Sequence, residues 1–375
     1  MSDTRKTTKP NVPNLRFPGF EGEWELKRID EISPLQRGFD LPSQSLQVGS
    51  VPVVYSNGIM NYHNESKCVA PGIVTGRSGT IGRLTYIESG PYWPHNTSLW
   101  VTDFKGNIPL FVYYLLEHID LSRFSSGSGV PTLNRNDVHA FKTGIPSVEE
   151  QHKIADCLSI IDKRISIQNK VIEDLKKLKT ALEDRMLGQC QGKQVRLRDI
   201  LIERVEKSRI NNQYEVLSST VSGIYSQREY FNKEIASADN TGYKAIHRGD
   251  VVLSPQNLWM GNINYNDRFE IGIVSPSYKV FSIDEKFDKG YIAFLLKTRK
   301  ALWAYSLVSE QGASIVRRNL NYESFLEISF VIPSLKEQQA TARRLSTFQQ
   351  KQTMEEAFLR SLLLQKEFML KSLFI

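Results

Sequence analysis

Apolar positions recur along this chain with two different periods. Ile154, Leu158, Ile161, Ile165, Gln168, Ile172, Leu175, Lys179, Leu182 and Met186 step alternately by four and three residues. That is a heptad seam, and it predicts a helix of roughly 50 Å at 1.5 Å per residue. Leu345, Phe348, Gln352, Glu355, Leu359, Leu362, Lys366, Met369 and Leu373 repeat the pattern near the C-terminus. Each segment follows an Ile-Pro-Ser triplet, and Ser147 with Glu150 and Ser334 with Glu337 have the spacing of a capping box. Gly188 marks the stop of the first helix. Two helices of matching length, each with a half-apolar seam, are expected to pair with each other as an antiparallel coiled coil. The polar seam positions Gln168, Lys179, Gln352, Glu355 and Lys366 fix register or mark where the seam frays.

Between these helices the pattern shortens. Val51-Pro52-Val53-Val54-Tyr55, Ile73-Val74-Thr75, Leu84-Thr85-Tyr86-Ile87 and Leu99-Trp100-Val101 are β-branched or aromatic runs bounded by Gly, Pro, Asn or Ser, which predicts strands. Residues 110–119 read as a short amphipathic helix, with 291–305 as the counterpart. The expected fold is therefore α+β. Two similar domains, 1–147 and 191–334, are separated by a spacer helix in 148–190 and followed by a second in 335–375.

The chain also repeats. Leu133-Asn134 through Ile145-Pro146-Ser147 aligns without a gap to Leu320-Asn321 through Ile332-Pro333-Ser334, an offset of 187, and Glu149-Glu150-Gln151 continues against Lys336-Glu337-Gln338. Weaker echoes lie upstream in the same order: 26–32 with 195–200, 71–74 with 248–252, and 97–101 with 276–280. The repeating unit is one globular stretch plus one helical tail, which predicts an internal pseudo-two-fold arrangement.

Composition narrows the function classes. With 375 residues, 40% of them hydrophobic and 24% charged, the chain is globular and large enough for two domains with their own cores. It has no apolar run of membrane-spanning length and no secretory leader pattern at 1–10. Cys68, Cys157 and Cys190 are few, widely spaced and without a CxxC pair, as expected of reduced thiols in a cytoplasm. The net charge of +7 is spread out: basic and acidic groups number 14 and 13 in 1–147, 8 and 8 in 148–190, 19 and 16 in 191–335, and 7 and 4 in 336–375. Charge thus permits nucleic-acid binding without establishing it.

No catalytic constellation is visible. The glycine-rich stretch Gly76-Arg77-Ser78-Gly79-Thr80-Ile81-Gly82-Arg83 lies between two predicted strands, so it reads as a hairpin turn with glycines at positive φ and not as a phosphate loop opening a helix. HExxH and GxSxG motifs are missing, as is the Asn/Asp-Pro-Pro-aromatic signature of an adenine methyltransferase. No metal-ligand spacing is present. Glu25-x-Lys27 and Glu65-x-Lys67 read as solvated surface charge.

Polar and basic loop residues recur at matching places in the two halves. In the first they are Ser56, Asn57, Arg77, Ser78, Thr80, Arg83, His95, Asn96, Thr97, Ser128, Thr132, Asn134 and Arg135. In the second they are Ser218, Ser219, Thr220, Gln256, Asn257, Arg268, Ser275, Ser277, Lys279, Arg317, Arg318 and Asn319. Arginine reads guanine edges, Asn and Gln read adenine, and Ser, Thr and Lys hold phosphates, so these are the candidate DNA contacts.

Several of these stretches resemble the specificity subunits of type I restriction–modification systems. Leu15-Arg16-Phe17-Pro18-Gly19-Phe20-Glu21-Gly22-Glu23-Trp24 looks like their opening, and Gly76 to Arg83 followed by Tyr92-Trp93-Pro94-His95-Asn96-Thr97-Ser98 is similar to the middle of their target recognition domains. Gly127-Ser128-Gly129-Val130-Pro131-Thr132-Leu133-Asn134 resembles the loop that closes the domain. Residues 145–155 with Leu158, Asp162 and Ile165 resemble the start of the conserved central helix, and 332–338 its second copy. The second half departs from the pattern: Gly312-Ala313-Ser314-Ile315-Val316 replaces a Gly-x-Gly-x-Pro loop, and Gln349 stands where the first helix has Asp162.

The resemblance implies a non-catalytic subunit. Each lobe reads one half of a bipartite site in double-stranded DNA, and the paired helices set the unread gap between the halves. Two adenine-methylating modification subunits and nuclease–translocase restriction subunits join as partners. S-adenosylmethionine, Mg²⁺ and ATP belong to those partners and none to this chain. The rival reading from composition is a coiled-coil scaffold that joins proteins without reading DNA.

Overall fold

Short β-branched runs become strands here because each buries a face, the central-sheet strands against helices and Val51–Tyr55 against neighbouring strands. The computed structural model describes residues 11–126, 131–230, 239–311 and 318–375 and separates into two units, Met1–Asn169 with Ala357–Ile375, and Lys170–Glu356. Each long helix therefore contributes one part to each unit.

In the first unit the central antiparallel sheet has the order Leu35–Arg37, Ser98–Val101, Gly72–Gly76, Leu84–Ile87. Gly72–Gly76 is buried along its whole length, and a Cβ at Gly72 would lie 2.5 Å from the Tyr92 ring, so only glycine fits there. Its hairpin to Leu84–Ile87 carries Gly79 and Gly82 at φ +81° and +75°, the turn that the glycine-rich stretch predicts. A second sheet orders Gly58–His63, Val51–Tyr55, Pro91–Pro94 and Cys68–Val69. The helix Pro109–Ile119 starts on a proline and buries Phe111, Val112, Leu115 and Leu116. These residues share a core with Ile154, Leu158 and Ile161 of the first long helix (Val148–Gly188) and with Leu373 and Phe374 at the C-terminal end of the second (Leu335–Leu373).

The second unit repeats the plan. Its central sheet orders Leu201–Glu203, Lys279–Ile283, Val251–Leu253 and Ile263–Tyr265, all antiparallel. Its core includes Leu187, from the end of the first long helix, and Leu345, from the second. The helix expected over 291–305 is instead two, Lys289–Leu295 and Arg299–Leu307. Thr298 interrupts them: its side chain accepts from the Ala301 amide and caps the second helix, an alternative hydrogen bond that competes with continuing the first.

The structure explains why particular residues repeat. Gln151 is buried, accepts the Ile108 amide at 2.9 Å and donates to the Pro146 carbonyl, which ties the lobe helix to the start of the long helix. Gln338 does the same with the Asp288 amide and the Pro333 carbonyl. Asn134 and Asn321 each cap a short helix, accepting from Asn136 and Ser324 amides. The second capping box forms as expected, with Ser334 and Glu337 bonded in both directions. The first does not. The Ser147 hydroxyl accepts the Glu150 amide, but the Glu150 carboxylate turns to Arg16 in a bidentate pair with both contacts at 2.8 Å. A guanidinium is a stronger partner for a buried carboxylate than one backbone amide.

Within each unit the long helices run antiparallel. In the first, Asp162 meets Lys366 and Arg164 lies over Phe358; in the second, Lys176 meets Glu356 and Lys179 bonds Gln349. Seam residues face inward: Ile154, Leu158, Ile161, Gln168, Ile172, Leu345 and Leu362 are buried, while Ile165, Leu175, Leu182, Phe348, Leu359 and Met369 are half-buried. Among the described residues no helix is long and apolar enough to cross a membrane.

Candidate nucleic-acid interface

In the first unit, four stretches that are distant in sequence meet at one end of the central sheet. The turn Ser56-Asn57-Gly58 approaches the glycine-rich loop so closely that a Cβ on Gly76 would lie 1.8 Å from the Thr80 carbonyl oxygen and 2.7 Å from that of Ser56. A Cβ on Gly58 would lie 3.6 Å from Nη2 of Arg83. The Arg77 and Ser78 amides donate to the Thr97 carbonyl at 2.9 and 3.2 Å, and the Ser56 amide donates to the Thr97 hydroxyl at 3.3 Å. The Leu133 amide donates to the Arg77 carbonyl at 2.8 Å, and Ser78 bridges Thr132 as an isolated ladder pair. His95 pairs with the Thr97 hydroxyl and stacks obliquely on Tyr55; burial lowers its pKa from the ordinary histidine value, which favours the neutral ring.

This convergence leaves an open groove of about 420 Å³ lined by Arg37, Arg77, Thr132, Asn134, Arg135 and Asn136. Arg37 is paired with Asp40 at 2.8 Å, and Asn96 bonds the same carboxylate. Among the described residues Arg77, Arg83 and Arg135 have no carboxylate within ion-pair distance, so the groove presents uncompensated positive charge beside amide side chains. Of the sequence-derived candidates, Ser56, Asn57, Arg77, Ser78, Thr80, Arg83, His95, Asn96, Thr97, Thr132, Asn134 and Arg135 lie in or beside this cluster. Ser128 lies outside the described residues. Arg37 and Asn136 belong to the site and were not singled out in the sequence. The signal for Arg37 was the following Gly38, where a Cβ would lie 2.2 Å from the His95 carbonyl oxygen, a close approach of two backbones that only the fold reveals.

The second unit brings fewer candidates together. The Arg318 amide donates to the Gln256 carbonyl at 3.1 Å, and the Arg318 guanidinium lies 4.2 Å from the Trp259 ring centroid. Gln256, Asn257, Arg318 and Asn319 thus form one cluster, with Trp259 as a member that the sequence reading missed; Arg317 lies outside the described residues. Ser218 and Ser219 are buried instead. Ser219 donates to Asn262 and accepts from Asn264, both at 2.7 Å, and Gln227 donates to Ser218, so these hydroxyls tie the hairpin Leu217–Ser226 to the residues that flank it. Thr220 likewise bonds within that hairpin. Lys279 is engaged by Glu203 at 2.7 Å and lies over the Tyr322 ring, Arg268 pairs with Glu229, and Ser275 and Ser277 bond each other. Among the described residues no group of three or more His, Cys, Asp and Glu side chains is placed to hold a metal ion.

Comparison with known proteins bears on this groove and this cluster. The type I restriction modification DNA specificity domain family matches the chain twice, over 21–177 and 193–362. A curated relative, the type I restriction enzyme EcoprrI specificity subunit of Escherichia coli, is 23% identical over 164 residues, which span 42% of this chain and 40% of that subunit. The crystal structure of the type I restriction-modification system S subunit from M. genitalium superposes with a TM-score of 0.64 at 16% identity, covering 97% of this chain and 99% of that one. A chain from a structure titled for complex assembly and conformational transition of the type I R-M system superposes at 0.54 with 12% identity, covering 96% and 99%. Two specificity-domain matches cover most of the sequence and each joins a lobe to part of a long helix, so the chain belongs to the family of type I restriction–modification DNA specificity subunits.

Proposed function

We propose that this chain is the DNA-reading subunit of a type I restriction–modification complex, and that each unit reads one half of a bipartite double-stranded site. The observation that carries the reading is the first unit's groove, where Arg77 and Arg135 stand without carboxylate partners beside Asn134 and Asn136. Arginine and asparagine are the side chains that bond guanine and adenine edges in two places at once. The Arg318–Gln256 cluster is the corresponding reader in the second unit.

The antiparallel helices act as the spacer that fixes the unread gap. Two modification subunits then methylate adenine in both half-sites, and restriction subunits cleave unmodified DNA. The chain performs no chemistry itself and works in the cytoplasm. S-adenosylmethionine, Mg²⁺ and ATP act on the partners. A scaffold that merely joins proteins has no use for uncompensated arginines lining a polar groove.

Arg77→Ala and Arg135→Ala are each expected to weaken duplex binding by about tenfold, roughly 1.4 kcal/mol. A base-reading arginine relaxes specificity at one position of one half-site. A phosphate-holding one lowers the log–log salt slope by about one and leaves specificity intact. Binding with no salt dependence, or unchanged by both substitutions, would favour the scaffold. Adding one heptad to both long helices is expected to change only the gap between half-sites in the host's adenine methylation pattern. A change in the half-sites themselves would refute the division into readers and spacer.

A further inference from the structure

The two units treat one lysine differently. In the first, Lys366 of the second long helix is enclosed: it bonds Glu117 at 2.8 Å and Asp162 at 2.9 Å, and Asp162 also accepts from the Tyr114 hydroxyl at 2.9 Å. The Tyr113 ring fills the adjoining space, packed on Tyr86 and Tyr114.

The internal repeat identifies each counterpart in the second unit. The offset of 187 places Lys179 at Lys366 and Gln349 at Asp162. The shared bonds of Gln151 to Ile108 and Gln338 to Asp288 align the two lobe helices, so Lys297 stands at Glu117, Phe294 at Tyr114 and Ala293 at Tyr113. The lysine is kept, but both of its carboxylates, the tyrosine hydroxyl and the filling ring are gone.

What remains is a half-open cleft of about 690 Å³, lined by Lys179, Lys297, Gln349, Phe294, Ala293 and Ile224 among others. Lys297 retains exposed surface, but its ammonium folds onto the carbonyls of Val221 and Gly261 at 3.2 and 2.9 Å; among the described residues it has no carboxylate partner. Lys179 bonds the Gln349 amide oxygen and lies 3.6 Å from Glu183, whose carboxyl burial holds above its usual range. Arg268 at the cleft is already paired with Glu229, and Asp267 is exposed.

We propose that this cleft is a docking site for an acidic peptide segment of a protein partner, in which a carboxylate reaches Lys179 and Lys297 and an apolar side chain takes the space left by the missing tyrosine ring. The first unit fills the same position with its own carboxylates, which is the chemical template for the occupant. A carboxylate between two ammonium groups gains charge-assisted hydrogen bonds, and the apolar wall of Phe294 and Ile224 screens them from water. The inference does not depend on the DNA-reading role, and its failure would leave that role untouched.

The test uses the full chain and a blocked Glu-Phe-Glu tripeptide, with Gln-Phe-Gln and inorganic phosphate as the other arms. The readouts are the melting temperature and amide exchange in 290–297 and 346–353. The acidic peptide is expected to stabilise the protein saturably at millimolar concentration and to slow exchange in both segments, while the neutral peptide does neither. Gln349→Asp, which restores an internal carboxylate beside Lys179, and Lys297→Met are each expected to weaken this response about tenfold. The proposal is overturned if the peptide has no effect on the wild type, or if both variants respond as the wild type does. It is equally overturned if phosphate reproduces the effect through the same residues, since the cleft is then a phosphate site.

Discussion

Replacing Arg16 with methionine is expected to destabilise the first unit by about 3 kcal/mol, because it leaves a buried carboxylate without its counter-charge. Glu150 is only 2% exposed, and both of its oxygens are bonded to the Arg16 guanidinium at 2.8 Å. The position of Glu150 in the first turn of a long helix offers partial compensation from the helix dipole, which keeps the cost from rising further. Urea denaturation followed by tryptophan fluorescence reads the change, and amide exchange in 148–158 localises it. Glu150→Gln in the Arg16→Met background should recover part of the loss, since a neutral amide is cheaper to leave buried than an anion. A single-variant loss below about 0.5 kcal/mol would show that the pair is a surface contact in practice.

The second large effect is an asymmetry. Lys366→Met is expected to cost about 2 kcal/mol, less than a fully buried pair because Glu117 and Asp162 each keep about a third of their side-chain surface in water. Lys179→Met, at the equivalent position of the second unit, is expected to cost no more than about 0.5 kcal/mol, since it loses one amide and one loose ion pair. The pH dependence has a definite sign. Burial alone would lower the Lys366 pKa, but hydrogen bonds and charge from Glu117 and Asp162 outweigh it and raise the pKa above 10.5. The unfolded chain therefore loses this proton first as pH rises, so the contribution is complete below 10.5 and fades as pH climbs through the folded-state value. Wild type and Lys366→Met should accordingly converge in stability at strongly alkaline pH. Equal losses for the two lysines at neutral pH would contradict the geometry.

Residues in the long helices and in the repeat were legible in sequence because their constraints are local and periodic. A seam at alternating steps of three and four can only face one side of a helix, so Leu158, Ile161, Leu345 and Leu362 were bound to be buried. The hairpin at 76–83 was equally legible, since glycines between two β-branched runs leave few turn types. The break at Thr298 was not, because a side-chain cap competes with helix continuation by a margin that periodicity does not register.

The candidate interface was legible as composition and illegible as geometry. Loop residues of the right type could be named, but Ser219 and Thr132 are equal candidates in sequence; one is buried between Asn262 and Asn264 and the other lines an open groove. Which loop hydroxyl faces solvent depends on the register of strands far apart in the chain, and that is fixed only when the sheets assemble.

The sequence by itself thus determined the elements, their duplication and the class of side chains available for recognition, since propensity, periodicity and an internal repeat are properties of neighbouring residues. Tertiary structure alone decided which of those side chains are free. Arg16 captured Glu150 from an expected cap, Asp40 claimed Arg37, and Gln349 took up Lys179. Each outcome rests on a contact between residues brought together by the packing of sheet and helix, where burial sets how strongly an ionic partner is held.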